Sequence, residues 1–199
     1  ILKEMPVMIF DNLNEYLPDH LLFVPLTFDK QIMTEQYMLL YLELLKKLND
    51  PAFKIGFNGI SFSIDNIHMH FFRYENLPIE TFPLEKIMDD IYLVDGTFLY
   101  DLVCVINEDE NITTQISMQI IEEMTKKNYS VNLVCKYENG KFYNYLNFIP
   151  LPTQTGFLNI TGIQCKSFTG TESLSEFMQK IANFCSSLDN FLDDLIENL

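Results

Sequence analysis

The sequence predicts an α+β fold with a largely antiparallel sheet and packed helices. Three observations predict it. Runs of strand type outnumber runs of helical period. The strands follow one another through hairpin turns more often than through βαβ crossovers. The helical runs fall early, centrally and at the C-terminal end. With 199 residues the chain can bury a sizeable core, and one domain over 1–199 is expected. Hydrophobic residues make up 48% and aromatics 14%, a globular composition and not a disordered one. There is no internal repeat, low-complexity tract or linker-like boundary.

LLFVPL (21–26) reads as a short buried strand closed by Pro25. Residues 31–50 read as a helix, because Ile32, Met33, Leu39, Leu40, Leu44 and Leu48 recur at helical spacing. Lys46 and Lys47 suit the negative end of its dipole, and Asn49, Asp50 and Pro51 stop it. Residues 53–74 read as two strands with a turn at Asn58-Gly59, at Asp65-Asn66, or at both. A looser stretch containing Pro78 and Pro83 follows. TFLYDLVCVIN (97–107) is a strand, NEDEN (107–111) a solvated turn, and 113–128 a second helix. VNLVCKY (131–137) and KFYNYLNFIP (141–150) form a hairpin through Glu138-Asn139-Gly140, since Asn and Gly tolerate the positive φ a tight turn needs. GFLNITGIQCKSF (156–168) is a further strand. A long C-terminal helix, 173–199, carries an apolar face that suits the core or a docked partner.

The net charge of −15 argues against a nucleic-acid surface and against an anionic membrane surface, which need clustered Lys and Arg. Arg73 is the only arginine, and it lies three residues after His70. Cys104, Cys135, Cys165 and Cys185 are widely spaced with no CxxC, and they read as buried free thiols of a reducing, cytoplasmic compartment. No signal peptide and no membrane-spanning apolar run is seen.

Histidine is scarce, yet His68 and His70 sit two apart in NIHMHFF. Side chains alternate faces on a strand, so Asn66, His68, His70 and Phe72 would share one face and Ile67, Met69 and Phe71 the other, apolar one. A histidine pair of this kind has three readings. It can decorate a half-exposed strand. It can supply two metal ligands, but zinc needs a third or fourth; Asp65 could add one, only His20 remains among the histidines, and no metal or other cofactor is expected. It can serve chemistry at phosphorus, with a neutral imidazole nitrogen attacking while the other nitrogen is held as a donor. His20 itself follows Pro18-Asp19 and reads as a structural or surface histidine.

SIDNIHMHF (63–71) followed by LPIE (77–80) resembles the signature of the GDP-hexose phosphorylases, which act on GDP-L-galactose or GDP-D-glucose. These belong to the histidine-triad and galactose-1-phosphate uridylyltransferase-like superfamily. Their pattern runs F-N, a short small-residue loop, S-I-N-H-L-H-F-Q and then P-I-E. Phe57-Asn58 matches its opening, Ser63-Ile64 its S-I and Leu77-Pro78-Ile79-Glu80 its close. HLLFVPL with the helix after it, and the 131–150 hairpin, resemble flanking parts of the family. The similarity runs over roughly residues 20–165 in order, and its central motif is the specific part.

The resemblance implies a histidine-triad-like domain and places His68 at the nucleophile. It places His70 where phosphorylases usually carry Gln and the hydrolytic branch carries His. Asn58 and Ser63 would help hold substrate, with Asn66 standing where the motif's first histidine would be. Arg73 and Lys141 would offset charge. The loop after Asn58 is about two residues shorter than the family's and contains Phe62. In the implied reaction His68 attacks the α-phosphate of an NDP-sugar, and inorganic phosphate then discharges the nucleotidyl-histidine, while His70 donates to a phosphate oxygen. Two other readings stay open. One is a degenerate superfamily member that acts as a binding or structural subunit, favoured by Asn66, the short loop and the acidic surface. The other is a histidine-triad nucleotide hydrolase. The resemblance permits a homodimer, and the C-terminal helix could engage a second copy or another protein.

Overall fold

A computed structural model of the chain describes residues 5–12, 17–27, 29–59, 66–95 and 102–150. Nine strands and two helices follow in the order β1 (Val7–Asp11), β2 (Leu21–Pro25), α1 (Glu35–Leu48), β3 (Phe53–Asn58), β4 (Met69–Arg73), β5 (Leu84–Met88), β6 (Ile91–Val94), β7 (Val103–Asn107), α2 (Glu110–Lys126), β8 (Tyr129–Glu138) and β9 (Lys141–Pro150). The strands form one sheet in the order β1-β2-β4-β3-β8-β9-β7-β6-β5. Every neighbouring pair is antiparallel, as the hairpin-rich sequence predicts. The strand 156–168, the helix 173–199, Cys165 and Cys185 lie outside the described residues.

Local chemistry sets the element ends. The Thr34 hydroxyl accepts from Tyr37 N–H and starts α1 four residues later than hydrophobic spacing alone would place it. Asn49 takes a left-handed conformation at the far end, where its N–H bonds to Leu45 O. The acidic run is not a plain solvated turn. Asn107 ends β7, and the Asp109 carboxylate accepts from the Asn111 and Ile112 N–H groups at 2.7 and 3.1 Å. Those two bonds cap α2 and hold Asp109 below the usual carboxylate range. Asn139 and Gly140 have φ of 52° and 81°, which makes the expected tight hairpin between β8 and β9.

Three strands lie where none was expected. β1 precedes the first legible element. The stretch after Pro83 is not a loose link but a β5–β6 hairpin, turned at Asp89 and Asp90, with Asp90 at φ 64°. Its apolar residues do not alternate cleanly, and a register shift between Lys86 and Met88 breaks the period.

The sheet has two unlike faces. Both helices pack on one of them, over Ile55, Phe57, Met69, Phe71, Leu133 and Phe142. Ile67, Met69 and Phe71 all join this core, as alternation predicts. The opposite face carries a smaller apolar cluster that includes Phe72, Leu77, Ile79, Cys104, Val134 and Tyr145. Cys104 and Cys135 are buried and free, and burial raises both thiols above their ordinary range.

The Leu77-Pro78-Ile79-Glu80 run is anchored to this second face. Leu77 and Ile79 are fully buried, and residues 78–81 form one 3-10 turn. Glu80 Oε2 accepts from Leu77 N–H at 3.1 Å. Its Oε1 lies 3.0 Å from Lys54 Nζ and 3.5 Å from Lys136 Nζ, with all three side chains buried. Lys136 also pairs with Glu138 at 2.8 Å, so the two cations meet two carboxylates. Burial lowers the Lys54 pKa, and Glu80 works against that shift.

Candidate functional site

The site stands at one end of the second face, where β3 ends and β4 begins. Facing residues in an antiparallel ladder share a face, and His70 faces both Gly56 of β3 and Leu22 of β2. His20 lies two residues before Leu22 and so joins His70. The three histidines of the chain therefore meet. Ring centroids are 5.2 Å apart for His20 and His70 and 5.4 Å for His68 and His70. His20 is not a surface residue: it is fully buried.

His68 lies just outside β4, which starts at Met69. Alternation carries the strand through Asn66, while the turn signal at Asp65-Asn66 interrupts it there; the chain bends at Asn66. The bend brings the Asn66 carbonyl within 2.8 Å of His68 Nδ1. A carbonyl only accepts, so Nδ1 carries the proton and donates. In the neutral ring Nε2 is then left with its lone pair. It is the Asn66 backbone, and not its side chain, that orients this ring.

His70 is engaged on both sides. Asn58 Nδ2 approaches its Nε2 at 3.4 Å, and His20 Nε2 lies 3.0 Å from its Nδ1. With Asn58 donating to Nε2, the His70 proton sits on Nδ1 and is donated to His20. Asn12 Nδ2 lies against both ring nitrogens of His20, at 3.1 and 3.3 Å. Burial lowers the His70 pKa to about 3, helped by neighbouring His68 and His20, and lowers the His20 pKa to about 4. Both rings are neutral at pH 7. His70 is buried within the site, with Asn58 against one ring nitrogen and His20 against the other.

Asparagines continue the site across the sheet. Asn58 faces Asn132, and Asn132 faces Asn147. All three are buried. Asn132 Oδ1 accepts from Gly59 N–H at 3.0 Å, and Val131 O accepts from the same group at 2.9 Å. A Cβ at Gly59 would stand 2.3 Å from Val131 O, so this close approach of the chain to β8 needs glycine.

Gln31 is the residue that sequence reasoning missed, because it seemed to belong to the helix that follows. Only 3% exposed, it holds the strand ends with its side-chain amide. His68 N–H donates to its Oε1 at 2.8 Å, while its Nε2 donates to His68 O at 3.1 Å and to Asn58 O at 2.9 Å. A groove enclosing about 680 Å³ lies towards the helices, between the start of α1 and the end of α2, with Gln31 and Gly59 in its wall.

Other expected site residues are elsewhere. Arg73 is exposed on the helix-side face, near Asp50 and Glu75 and over the Phe53 ring. Lys141 is at the hairpin end of β9, six residues from Asn147, or roughly 20 Å along an extended strand. Its Nζ lies 3.8 Å from Glu108. Ser63, Asp65 and Phe62 lie outside the described residues. No group of three or more potential metal ligands gathers among the described residues. No helix among them is long and apolar enough to cross a membrane.

No protein-family profile and no curated protein matches the sequence. Among solved structures, the chain is similar to a DUF4931 family protein from Bacillus cereus, with 17% identity and a TM-score of 0.52 over 89% of this chain and 95% of that one. The likeness is one of fold alone.

Proposed function

We propose that the protein transfers a nucleotidyl group through His68, acting on an NDP-sugar of the GDP-hexose class with inorganic phosphate as acceptor. The observation that carries this reading is the 2.8 Å contact between His68 Nδ1 and Asn66 O, which leaves Nε2 as a neutral nucleophile. The Nε2 lone pair forms a bond to the α-phosphorus. The bond from that phosphorus to the bridging oxygen breaks, and sugar 1-phosphate leaves with the electron pair. The ring becomes a nucleotidyl-imidazolium whose positive charge is stabilised by the Asn66 carbonyl. A phosphate oxygen then attacks the same phosphorus, the N–P bond breaks back to Nε2, and nucleoside diphosphate departs. Water in place of phosphate gives the monophosphate, which is the hydrolase variant. The phosphorylase-like flanks of the sequence supply the choice of GDP-hexose.

A specific observation favours a second reading, a binding or structural subunit. Lys54 and Lys136 share the histidine face, yet both are tied to Glu80 and one also to Glu138. Arg73 lies on the opposite face and Lys141 at the far end of β9, so neither stands beside the histidines to balance a phosphate.

Turnover separates the two. GDP-glucose, GDP-mannose and diadenosine polyphosphates are each incubated with the protein, with and without phosphate, beside His68→Ala. Phosphate-dependent release of GDP that the substitution abolishes supports the phosphorylase. Phosphate-independent release of monophosphate supports the hydrolase. Absence of turnover together with absence of binding by calorimetry sinks both nucleotide readings and leaves the subunit.

A further inference from the structure

We infer that Gln31 is a positioning residue that sets the place and tautomer of His68, an inference that rests on the nucleophilic role proposed for His68. The β3–β4 register explains why one is needed. Gly56 faces His70, so Asn58 would face His68 if the ladder ran on. It does not, since β4 starts at Met69. The Gln31 carboxamide stands between the two strand ends instead. It offers Oε1 to His68 N–H and Nε2 to the carbonyls of His68 and Asn58, at 2.8, 3.1 and 2.9 Å.

This insertion has a consequence for the ring. In an extended strand, residues two apart are separated by more than 6 Å, too far for a ring nitrogen to reach back to the carbonyl at i−2 in regular geometry. His68 does reach Asn66 O. The backbone at His68 is released from the ladder, yet its N–H and C=O remain satisfied because Gln31 takes both. One side chain thus lets the chain bend and still holds His68 in place. It also fixes Asn58, whose amide approaches His70. Nucleophile and neighbouring prop are held by the same carboxamide.

Two substitutions test this. Gln31→Glu keeps the shape and can still accept from His68 N–H, but it places an oxygen against the two carbonyls. Gln31→Leu removes all three bonds. Leu45→Ala, in the helix-side core and away from the site, is the control for lost stability alone. The first readout is nitrogen NMR of the His68 ring, which does not depend on turnover. The Nδ1–H form is expected to dominate in the parent and the control and to give way to a mixture in both Gln31 variants. The second readout is turnover of whichever nucleotide the parent uses, expected to fall about 100-fold in kcat with KM little changed. An unaltered His68 tautomer in a folded Gln31→Glu protein overturns the inference, whether or not the parent turns over nucleotide. An equal loss of kcat in Leu45→Ala also overturns it. A parent with no turnover but a tautomer that follows Gln31 removes the catalytic reading and keeps the positioning one.

Discussion

At the scale of the residue, two histidines of one chain are given different work by their surroundings. His68 donates Nδ1–H to the Asn66 carbonyl. His70 spends both nitrogens inside the protein and, with His20, is held neutral by burial. That burial predicts a pH dependence. His20 and His70 have folded pKa values below the ordinary 6.5, at about 4 and about 3. The unfolded chain therefore binds more protons between those values and 6.5, and stability falls as pH drops through that window. Their contribution is fully present above pH 6.5. Urea unfolding at a series of pH values should show this acid limb, and His70→Asn should flatten it relative to the parent; an unchanged slope would show that these rings do not titrate with folding.

Half of this residue-scale picture is legible in the sequence. The scarcity of histidine and the two-residue spacing place His68 and His70 on one side, away from the apolar Ile67, Met69 and Phe71. His20 is illegible because 50 positions separate it from His70, and only the β2–β4 pairing brings them together. Gln31 is illegible for a similar reason: its bonds are tertiary, and nothing in its neighbourhood distinguishes it from the first turn of a helix. Arg73 draws interest by its nearness to His70 in sequence, while alternation along a regular strand puts it on the other face, where it lies.

At the scale of the element, caps and ion pairs decide where segments start and how they attach. Asp109 satisfies two N–H groups of α2, so Asp109→Ala should lower the midpoint of chemical denaturation. The 77–81 turn hangs on Glu80. Lys54→Met leaves that buried carboxylate with Lys136 alone and should destabilise the fold by about 3 kcal/mol. Adding Glu80→Leu to Lys54→Met should recover part of the loss, a coupling that a double-mutant cycle reads directly. Full additivity would mean the pair is not the anchor. The LPIE run that resembles a functional signature thus has a structural duty of its own, pinning a crossing segment over the second face of the sheet.

Elements were legible where local chemistry and alternation agree. β8 and β9 show apolar alternation on both sides of Asn139-Gly140, and they emerge where expected. β1, β5 and β6 carry weaker patterns and gain their strand character from the neighbours they pair with. The capping of α2 was hidden inside a run of acidic residues whose charge drew attention away from the one carboxylate that bonds the backbone.

For the whole molecule, one antiparallel sheet separates a helix-packed core from a face that holds the histidines, the buried asparagines and the Lys54–Glu80–Lys136 group. The net charge of −15 and the pairing of Lys54 and Lys136 place a demand on any phosphate that binds there. Binding of an NDP-sugar should therefore depend on cations in solution, which calorimetry across salt concentrations reads out.

The central claim is that His68 Nε2 attacks phosphorus. Its most direct measurement is intact-protein mass spectrometry after rapid acid-free quenching of the protein with radiolabelled or unlabelled GDP-glucose in the absence of phosphate. The account predicts a covalent GMP adduct that maps to His68, discharges on adding phosphate with release of GDP, and drops at least about 1,000-fold in formation rate in His68→Ala. Undiminished adduct formation in that variant, or GDP-glucose bound without any adduct or product, would contradict it.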